Sequence, residues 1–287
     1  DIMSILTAAL LGFIQGLAEF LPISSSGHLN LLQALFGIGM EHQLLFNILL
    51  HVGTLLAVLV VFWKEWWDML RHPIQNKTLL LLFIASLPAL AGKILFDDLL
   101  DYYEVHNVIL GACFLFTGLL LLLTQWMARR RECLGRVDKP LGILQALAMG
   151  IMQAIGMLPG VSRSGSTIFG GVASGLNRER AAKFSFMMSA PAIVAGMLSE
   201  GYEVVKTGGL SAISDLPAIV VGMVVAALVG YLAIRFMLKV IAKASLNWFA
   251  LYVIVLGIVV IVLQMTGILT DAPLELTDAT ARMFTGA

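Results

Sequence analysis

The sequence predicts an all-α integral membrane protein with six transmembrane helices and two re-entrant helix pairs, arranged as an inverted repeat. Three observations predict this fold class: the composition, the lengths of the apolar stretches, and two interrupted apolar regions that resemble each other. Of the 287 residues, 59% are hydrophobic and 13% are charged, whereas a soluble domain is about half apolar and about a quarter charged. This composition excludes a soluble globular enzyme and a disordered protein. The formal net charge of +0 argues against nucleic acid as a partner, because nucleic-acid binding favours an excess of basic residues.

The six predicted spans are the longest apolar stretches of the chain. A helix that crosses the hydrocarbon core of a bilayer needs about 20 predominantly apolar residues. Stretches of this kind cover approximately residues 44–63, 79–96, 107–127, 184–199, 216–234 and 246–265. The segment from Ile2 lacks a basic start, so we expect no cleaved signal peptide and expect the spans themselves to direct the chain to the membrane.

Two further apolar regions, residues 2–38 and 141–176, are interrupted by polar and helix-breaking residues. The interruptions are Pro22, Ser24-Ser25-Ser26 and Gly27 in the first region, and Pro159, Gly160 and Ser162-Arg163-Ser164 in the second. Irregular backbone persists at membrane depth only where protein or a water-filled cavity covers it. We therefore predict that each region forms a re-entrant helix pair, which dips into the membrane and returns.

The two interrupted regions share landmarks at a constant spacing, which indicates a duplication. Gly12, Gln15 and Ser26-Gly27 recur as Gly150, Gln153 and Ser164-Gly165 at an offset of 138 residues, while a Leu-Pro pair slips by one position. Three predicted spans separate the copies, so the second copy enters the membrane from the opposite side. The chain is thus expected to be a single membrane domain, 1–287, with inverted halves of about 1–138 and 139–287. Because such folds place their site where broken helices meet near the midplane, the two polar turns should converge.

The basic residues predict the orientation of the chain. Fourteen of the 18 Lys and Arg residues fall in segments 64–77, 129–139, 178–183 and 235–243. Six spans place all four segments on one side, which the positive-inside rule makes cytoplasmic. The acidic segment 97–104 and both termini should then lie outside.

Glu19 and Arg163 are the strongest candidates for chemistry. Each lies within an interrupted apolar region, where a charged side chain is costly and is usually paired and functional. The alternative is a buried ion pair that only fixes the packing of the two halves. Gln15 lies four residues before Glu19 and shares its helix face, and Glu19 could orient His28 or share a divalent cation with a phosphate.

The two polar turns supply the remaining candidates. Ser25 and His28 are three residues apart and could act as a nucleophile and its base, although serines before a helix also serve as N-caps. The second turn, residues 159–167, combines glycines, hydroxyls and an arginine, which suits an anion but also fits an elaborate cap. The candidate substrate-binding residues are Gln15, Ser24, Ser26, Gly27, Ser162, Ser164, Gly165 and Thr167. Asn47 and His51 form a further polar pair inside the first span, where helix–helix contact is the favoured role and contact with the site remains open.

Residues 15–28 (QGLAEFLPISSSGH) and 159–165 (PGVSRSG) together resemble the motifs of the bacterial undecaprenyl-diphosphate phosphatase family, the bacitracin-resistance proteins. The resemblance covers essentially the whole chain. It implies removal of the terminal phosphate of undecaprenyl diphosphate, a polyprenyl diphosphate lipid, at a site that opens to the outer face of the bacterial inner membrane. By the same resemblance, Ser25 matches the proposed nucleophile, His28 the essential imidazole, Glu19 the essential carboxylate and Arg163 the phosphate clamp.

The resemblance also implies a divalent cation, Mg²⁺ or Ca²⁺, with Glu19 as the candidate ligand. It leaves open whether Ser25 or His28 attacks the phosphorus. The sequence does not fix the oligomeric state, and a homodimer is one option. The alternative function is an inverted-repeat transporter or lipid flippase with an anion site at the midplane.

Overall fold

The computed structural model describes residues 4–36, 40–73, 75–105, 109–206, 216–266 and 269. These residues form eleven α-helices and no β-strand. The helices are α1 (Ile5–Phe20), α2 (Ser25–Phe36), α3 (Met40–Val61), α4 (Trp63–Arg71), α5 (Thr78–Val105), α6 (Leu110–Cys133), α7 (Ile143–Ile155), α8 (Arg163–Ser174), α9 (Arg178–Lys206), α10 (Leu216–Lys243) and α11 (Asn247–Met265). The all-α fold class is confirmed for the described part of the chain.

Five of the six predicted spans correspond to single helices that are long and apolar enough to cross a membrane. They are Thr78–Leu100, Leu110–Cys133, Arg178–Ser199, Leu216–Ile241 and Asn247–Met265. The sixth falls on Leu45–Val61 of α3, which continues into α4 after a bend of 73°. These helices make the chain a multi-pass membrane protein. The predicted start of one span at residue 107, and both termini, lie outside the described residues.

The bend between α3 and α4 differs from the prediction, which continued the first span through Trp63. The backbone leaves helical geometry at Phe62, with φ −104° and ψ 26°. The nine residues of α4 (WKEWWDMLR) include three tryptophans and four charged side chains, so this helix is amphipathic rather than apolar throughout. An ion pair of 2.7 Å between Lys183 and Glu65 ties α4 to α9.

Each interrupted region forms two helices joined by a tight turn. The first region gives α1 and α2, and the second gives α7 and α8. These helices have 12 to 16 residues, so each is about 18–24 Å long and too short to cross a hydrocarbon core of about 30 Å. The turns require left-handed backbone at Ser24 (φ 72°) and Gly160 (φ 87°), a conformation that glycine adopts readily and serine only rarely.

The first helix of each interrupted region packs closely on a helix that is distant in sequence. Helix α1 packs on α10 so closely that a Cβ added at Gly12 would lie 2.3 Å from the carbonyl oxygen of Gly222. Helix α7 packs on α5 in the same way, because a Cβ at Gly150 would lie 2.3 Å from the carbonyl oxygen of Ala85. Gly12 and Gly150, which are 138 residues apart, thus both allow two helix backbones to approach closely.

Polar contacts hold α8 in place at both ends. At its start, Ser162 accepts a hydrogen bond of 3.1 Å from the Gly165 amide, an N-cap that satisfies an otherwise unpaired donor. At its end, the guanidinium of Arg131 donates to the carbonyls of Val172 (3.2 Å) and Gly175 (2.8 Å). Helix α8, which begins with Arg163, is therefore fixed in position by α6 and by its own cap.

Candidate active site

The two polar turns are in direct contact. The hydroxyl of Ser164 donates to the carbonyl oxygen of Leu21 at 3.1 Å. A Cβ added at Gly27 would lie 2.9 Å from the Cα of Gly160, so the backbones of the two turns meet where neither residue has a side chain. The predicted convergence of the turns is confirmed.

An ion pair between Glu19 and Arg163 joins the turns at their centre. One carboxylate oxygen of Glu19 accepts from Nη2 of Arg163. The side chain of Glu19 is 4% exposed and that of Arg163 is 20% exposed, so the pair is largely removed from solvent. Nη1 of Arg163 also donates to the carbonyl oxygen of Ser189 at 3.4 Å. A guanidinium has five N–H donors, so these two contacts leave donors for phosphoryl oxygens.

Three more polar groups lie within 4.0 Å of the other carboxylate oxygen of Glu19. The hydroxyl of Ser25 donates to it at 2.5 Å, and the amide nitrogen of Gln15 donates at 3.2 Å. Nε2 of His51 lies 4.0 Å away, so His51 reaches the site, whereas Asn47 accepts a hydrogen bond of 2.8 Å from the Gln33 amide and so joins α3 to α2. Ser25 is positioned as a hydroxyl with an anionic proton acceptor beside it, which is the arrangement that activates a serine nucleophile.

His28 has different partners from those that its spacing suggested. Its Nδ1 lies 2.6 Å from the carbonyl oxygen of Ser24, and its Nε2 lies 2.7 Å from the hydroxyl of Tyr252. The hypothesis that Ser25 and His28 pair directly, and that Glu19 orients His28, is therefore wrong for this structure. Both residues begin α2, but the serine side chain turns back toward α1, while the imidazole turns toward α11.

The hydroxyls of the second turn hold that turn together. Thr117 on α6 donates to the carbonyl of Gly160 at 3.1 Å and accepts from the Ser162 amide at 2.9 Å. The hydroxyls of Ser162 and Ser164 are 3.2 Å apart. Thr167 contacts the Ser185 hydroxyl at 2.5 Å. Ser162, Ser164 and Thr167, which we predicted to bind substrate, are buried and make these internal contacts.

The serines of the first turn differ in their exposure to solvent. Ser24 accepts from the Gly27 amide at 3.3 Å and is buried, which makes it part of the turn itself. Ser26 is exposed, with its hydroxyl 3.5 Å from that of Ser24. Gly27 lies against the ring of Phe114, where a Cβ would come within 2.7 Å. Ser26 is thus the member of this turn that is most open to a ligand from outside.

The donor set for a divalent cation is small but chemically suitable. The described residues contain no group of three or more His, Cys, Asp or Glu side chains that could hold a metal. Beside Glu19, however, the amide oxygen of Gln15 is buried and has no hydrogen-bond partner in the described chain. A carboxylate and an amide oxygen are hard ligands that suit Mg²⁺ or Ca²⁺, and Mg²⁺ commonly fills its shell with water and phosphate oxygens. The residues present therefore fit a cation that is shared with a phosphorylated ligand.

The structure adds residues that sequence reasoning missed. Tyr252, Thr117 and Ser189 all contact the turns or the ion pair. Each is a single polar residue in or beside an apolar stretch, a pattern that also fits ordinary helix packing and interfacial tyrosines. Their positions in the sequence carry no signal that would have distinguished them.

The sequence matches a known family along most of its length. The match to the family described as Bacitracin resistance protein BacA covers residues 8–259. A protein of Carboxydothermus hydrogenoformans named undecaprenyl-diphosphatase is 40% identical, over 92% of this chain and 99% of the relative. Proteins of the same name from Thermodesulfovibrio yellowstonii and Polaromonas sp. are 37% and 32% identical, over 89% and 95% of this chain and 96% and 100% of the relatives. Because the match runs through both polar turns and the helices that hold them, the chain belongs to the BacA family.

Proposed function

We propose that the protein is a membrane phosphatase that hydrolyses undecaprenyl diphosphate to undecaprenyl phosphate and inorganic phosphate, and so recycles the lipid carrier of cell-wall synthesis. The relatives named undecaprenyl-diphosphatase, which match nearly the whole chain, support this substrate. The observation that carries the proposal is the Glu19–Arg163 ion pair at the contact between the two turns. It combines a proton acceptor and a phosphate-binding cation beside the hydroxyl of Ser25.

The geometry favours Ser25 as the nucleophile. Its oxygen bonds to the terminal phosphorus as the bond from that phosphorus to the bridging oxygen breaks, and undecaprenyl phosphate leaves. Glu19, 2.5 Å from the hydroxyl, takes the serine proton. Water then attacks the phosphoserine and releases inorganic phosphate, while the proton on Glu19 returns to the serine oxygen. Both ring nitrogens of His28 are engaged elsewhere, which makes His28 the weaker candidate for attack.

Arg163 is proposed as the phosphate clamp. Phosphoryl transfer needs little covalent chemistry from the protein, so catalysis depends on positioning and on stabilising charge at the phosphoryl oxygens. The free N–H donors of Arg163 suit this task because a guanidinium matches two phosphate oxygens at once. Gln15, Ser24, Ser26, Gly27, Ser162, Ser164, Gly165 and Thr167 are proposed to shape or line the substrate site.

A divalent cation, Mg²⁺ or Ca²⁺, is proposed as the cofactor. Glu19 and the amide oxygen of Gln15 are the protein groups that would hold it. When bound, the cation would neutralise charge on the diphosphate oxygens. The unpartnered oxygen of Gln15 supports this assignment.

The proposed membrane arrangement follows the sequence repeat. Helix pairs α1–α2 and α7–α8 are re-entrant, and halves 1–138 and 139–287 form one domain with inverted topology. The reciprocal packing of α1 on α10 and of α7 on α5 supports this arrangement. The basic loops face the cytoplasm, both termini lie outside, and the site opens to the outer face of the inner membrane. All of the proposed catalytic residues come from one chain, so the site needs no second copy, and a homodimer is compatible with it.

A transporter or lipid flippase is the second candidate, because reciprocal packing of two halves around a polar midplane is also a transporter architecture. Phosphate release by the purified protein in detergent separates the two functions, since no gradient or second compartment exists there. We expect release of one phosphate per undecaprenyl diphosphate. Lipid or ion flux in vesicles without phosphate release in detergent would favour the transporter.

A further inference from the structure

The imidazole of His28 is held from the other half of the chain. Tyr252 lies on α11, 224 positions from His28 on α2, and its hydroxyl is 2.7 Å from Nε2 of the imidazole. The two rings also stack, with centroids 5.7 Å apart and an angle of 15° between the ring planes. The same tyrosine therefore contacts the imidazole through both its hydroxyl and its ring.

The partners of His28 define its tautomer. A carbonyl oxygen can only accept a hydrogen bond, so Nδ1 must carry the proton that it shares with Ser24 at 2.6 Å. In the neutral ring, Nε2 is then the acceptor, and the Tyr252 hydroxyl donates to it. The hydrogen bond at one ring nitrogen determines whether the other nitrogen is protonated. Ser24 and Tyr252 together therefore specify that Nδ1 carries the proton and that Nε2 is the unprotonated nitrogen.

Aromatic contacts also fix the orientation of the His28 ring. Phe114 on α6 meets the imidazole edge-on, with centroids 5.4 Å apart and an angle of 84° between the ring planes. His28 is 7% exposed. The ring therefore lies between the aromatic side chains of α6 and α11, and it is bonded through Ser24 to the turn that precedes its own helix.

We infer that Tyr252 is a positioning residue for His28, and that its hydroxyl holds Nε2 as the basic nitrogen and fixes the ring in the orientation that turnover requires. The inference rests on the proposed phosphatase function and on the need for His28 that the family resemblance implies. Tyr252 does not have to contact the substrate for this role, because it acts through the imidazole. Its loss should reduce turnover rather than substrate binding.

Two substitutions distinguish the contribution of the Tyr252 hydroxyl from that of its ring. Tyr252→Phe keeps the stacked ring and removes the donor, whereas Tyr252→Leu removes both. Tyr231→Phe is the matched control, since the Tyr231 hydroxyl bonds with Arg235 at 2.8 Å on α10. We expect Tyr252→Phe to lower kcat about tenfold or more with KM within about twofold, as for loss of a group that orients a site residue. Tyr252→Leu should be slower still, and Tyr231→Phe should match the wild type.

The state of the His28 ring provides a readout that does not depend on turnover. Protein labelled with ¹⁵N-histidine gives a signal for each ring nitrogen, and His28→Gln assigns those of His28 by their loss. We expect a predominantly Nδ1-protonated ring in the wild type and a changed Nε2 signal in Tyr252→Phe.

The inference is overturned if Tyr252→Phe keeps the wild-type kcat, if its defect lies in KM alone, or if the Nε2 signal is unchanged. A wild-type protein that releases no phosphate from undecaprenyl diphosphate overturns the proposed function instead. The two failures are distinguishable, because the ¹⁵N signals report on the Tyr252–His28 contact without turnover.

Discussion

Glu19 and Arg163 form an ion pair although they are 144 positions apart in the chain. Glu19 lies in the last turn of α1, and Arg163 is the first residue of α8. Neither side chain has an oppositely charged residue near it in sequence, so the pair forms only because the two turns meet. Breaking such a buried pair leaves an uncompensated charge, which costs more than the pair contributes. The ion pair therefore forms only when the two turns are correctly packed, and it is also the proposed centre of the chemistry.

The first prediction concerns the shape of the clamp. Arg163→Lys keeps the positive charge but loses the planar fork that binds two oxygens at once. We expect kcat to fall by about a hundredfold or more, within the range for removal of one stabilising donor. Steady-state phosphate release in detergent measures this, with monodisperse size-exclusion elution as the folding control. Wild-type turnover in Arg163→Lys would mean that charge alone suffices.

The second prediction concerns the nucleophile and the imidazole. Ser25→Ala removes the attacking oxygen, so kcat should fall by about a thousandfold or more, as for other nucleophiles. His28→Ala should also lower turnover by orders of magnitude while the protein still folds. Residual rates from single-turnover assays provide the measurement. Either residue leaves the catalytic set if its alanine variant turns over at a near-normal rate.

The third prediction concerns the cation. Chelation should abolish phosphate release, and added Mg²⁺ or Ca²⁺ should restore it. Gln15→Leu should raise the cation concentration that gives half-maximal activity, because it removes the unpartnered amide oxygen beside Glu19. Titration of activity with the cation in wild type and variant measures the shift. Full activity in excess chelator would show that the reaction needs no divalent cation.

The fourth prediction concerns topology. Asp98 is exposed on α5, so a cysteine placed there should react with an impermeant thiol reagent added outside the cell. The chain carries its own control, because Cys133 is free and exposed beside the basic residues that end α6, whereas Cys113 is buried. Cys133 should react only after the membrane is opened. The opposite labelling pattern would reverse the orientation.

The fifth prediction concerns the glycine contacts between the halves. Gly12→Ala and Gly150→Ala each place a Cβ against a backbone oxygen, so the helices must separate. We expect each to lower the free energy of unfolding by about 1–3 kcal/mol, as for other overpacked sites. Gly201→Ala is the matched control, since a Cβ there meets no described atom within 4 Å. Denaturant unfolding in mixed micelles compares the three variants, and equal stability would contradict the reciprocal packing.

Sequence reasoning located the spans and the ion pair because both leave strong one-dimensional signals. A helix such as α11 is apolar throughout, and an isolated charge such as Glu19 is costly in an apolar segment. The break after α3 gave no comparable signal, because the apolar run simply merges into the tryptophans of α4. The ion pair between Glu65 on α4 and Lys183 on α9 is a tertiary contact that the local sequence around Phe62 does not encode.

The partners of His28 could not have been predicted from spacing. A three-residue separation places Ser25 and His28 near each other on a helix, but it does not say which way either side chain turns. The Ser25 hydroxyl donates to the Glu19 carboxylate on the preceding helix. The imidazole of His28 contacts the hydroxyl of Tyr252 on α11. This contact depends on how α11 packs near α2, which residue spacing does not reveal.

A comparison of Arg163→Ala with Arg136→Ala tests directly whether the junction of the two turns is a phosphoryl site. Arg163 belongs to the buried pair, while Arg136 is an exposed arginine of the basic loop. The measurement is phosphate release from undecaprenyl diphosphate by the purified proteins in detergent, at equal amounts of monodisperse protein. We expect wild-type release for Arg136→Ala and almost none for Arg163→Ala. Equal release by both variants would contradict a phosphoryl site at the junction of the two turns.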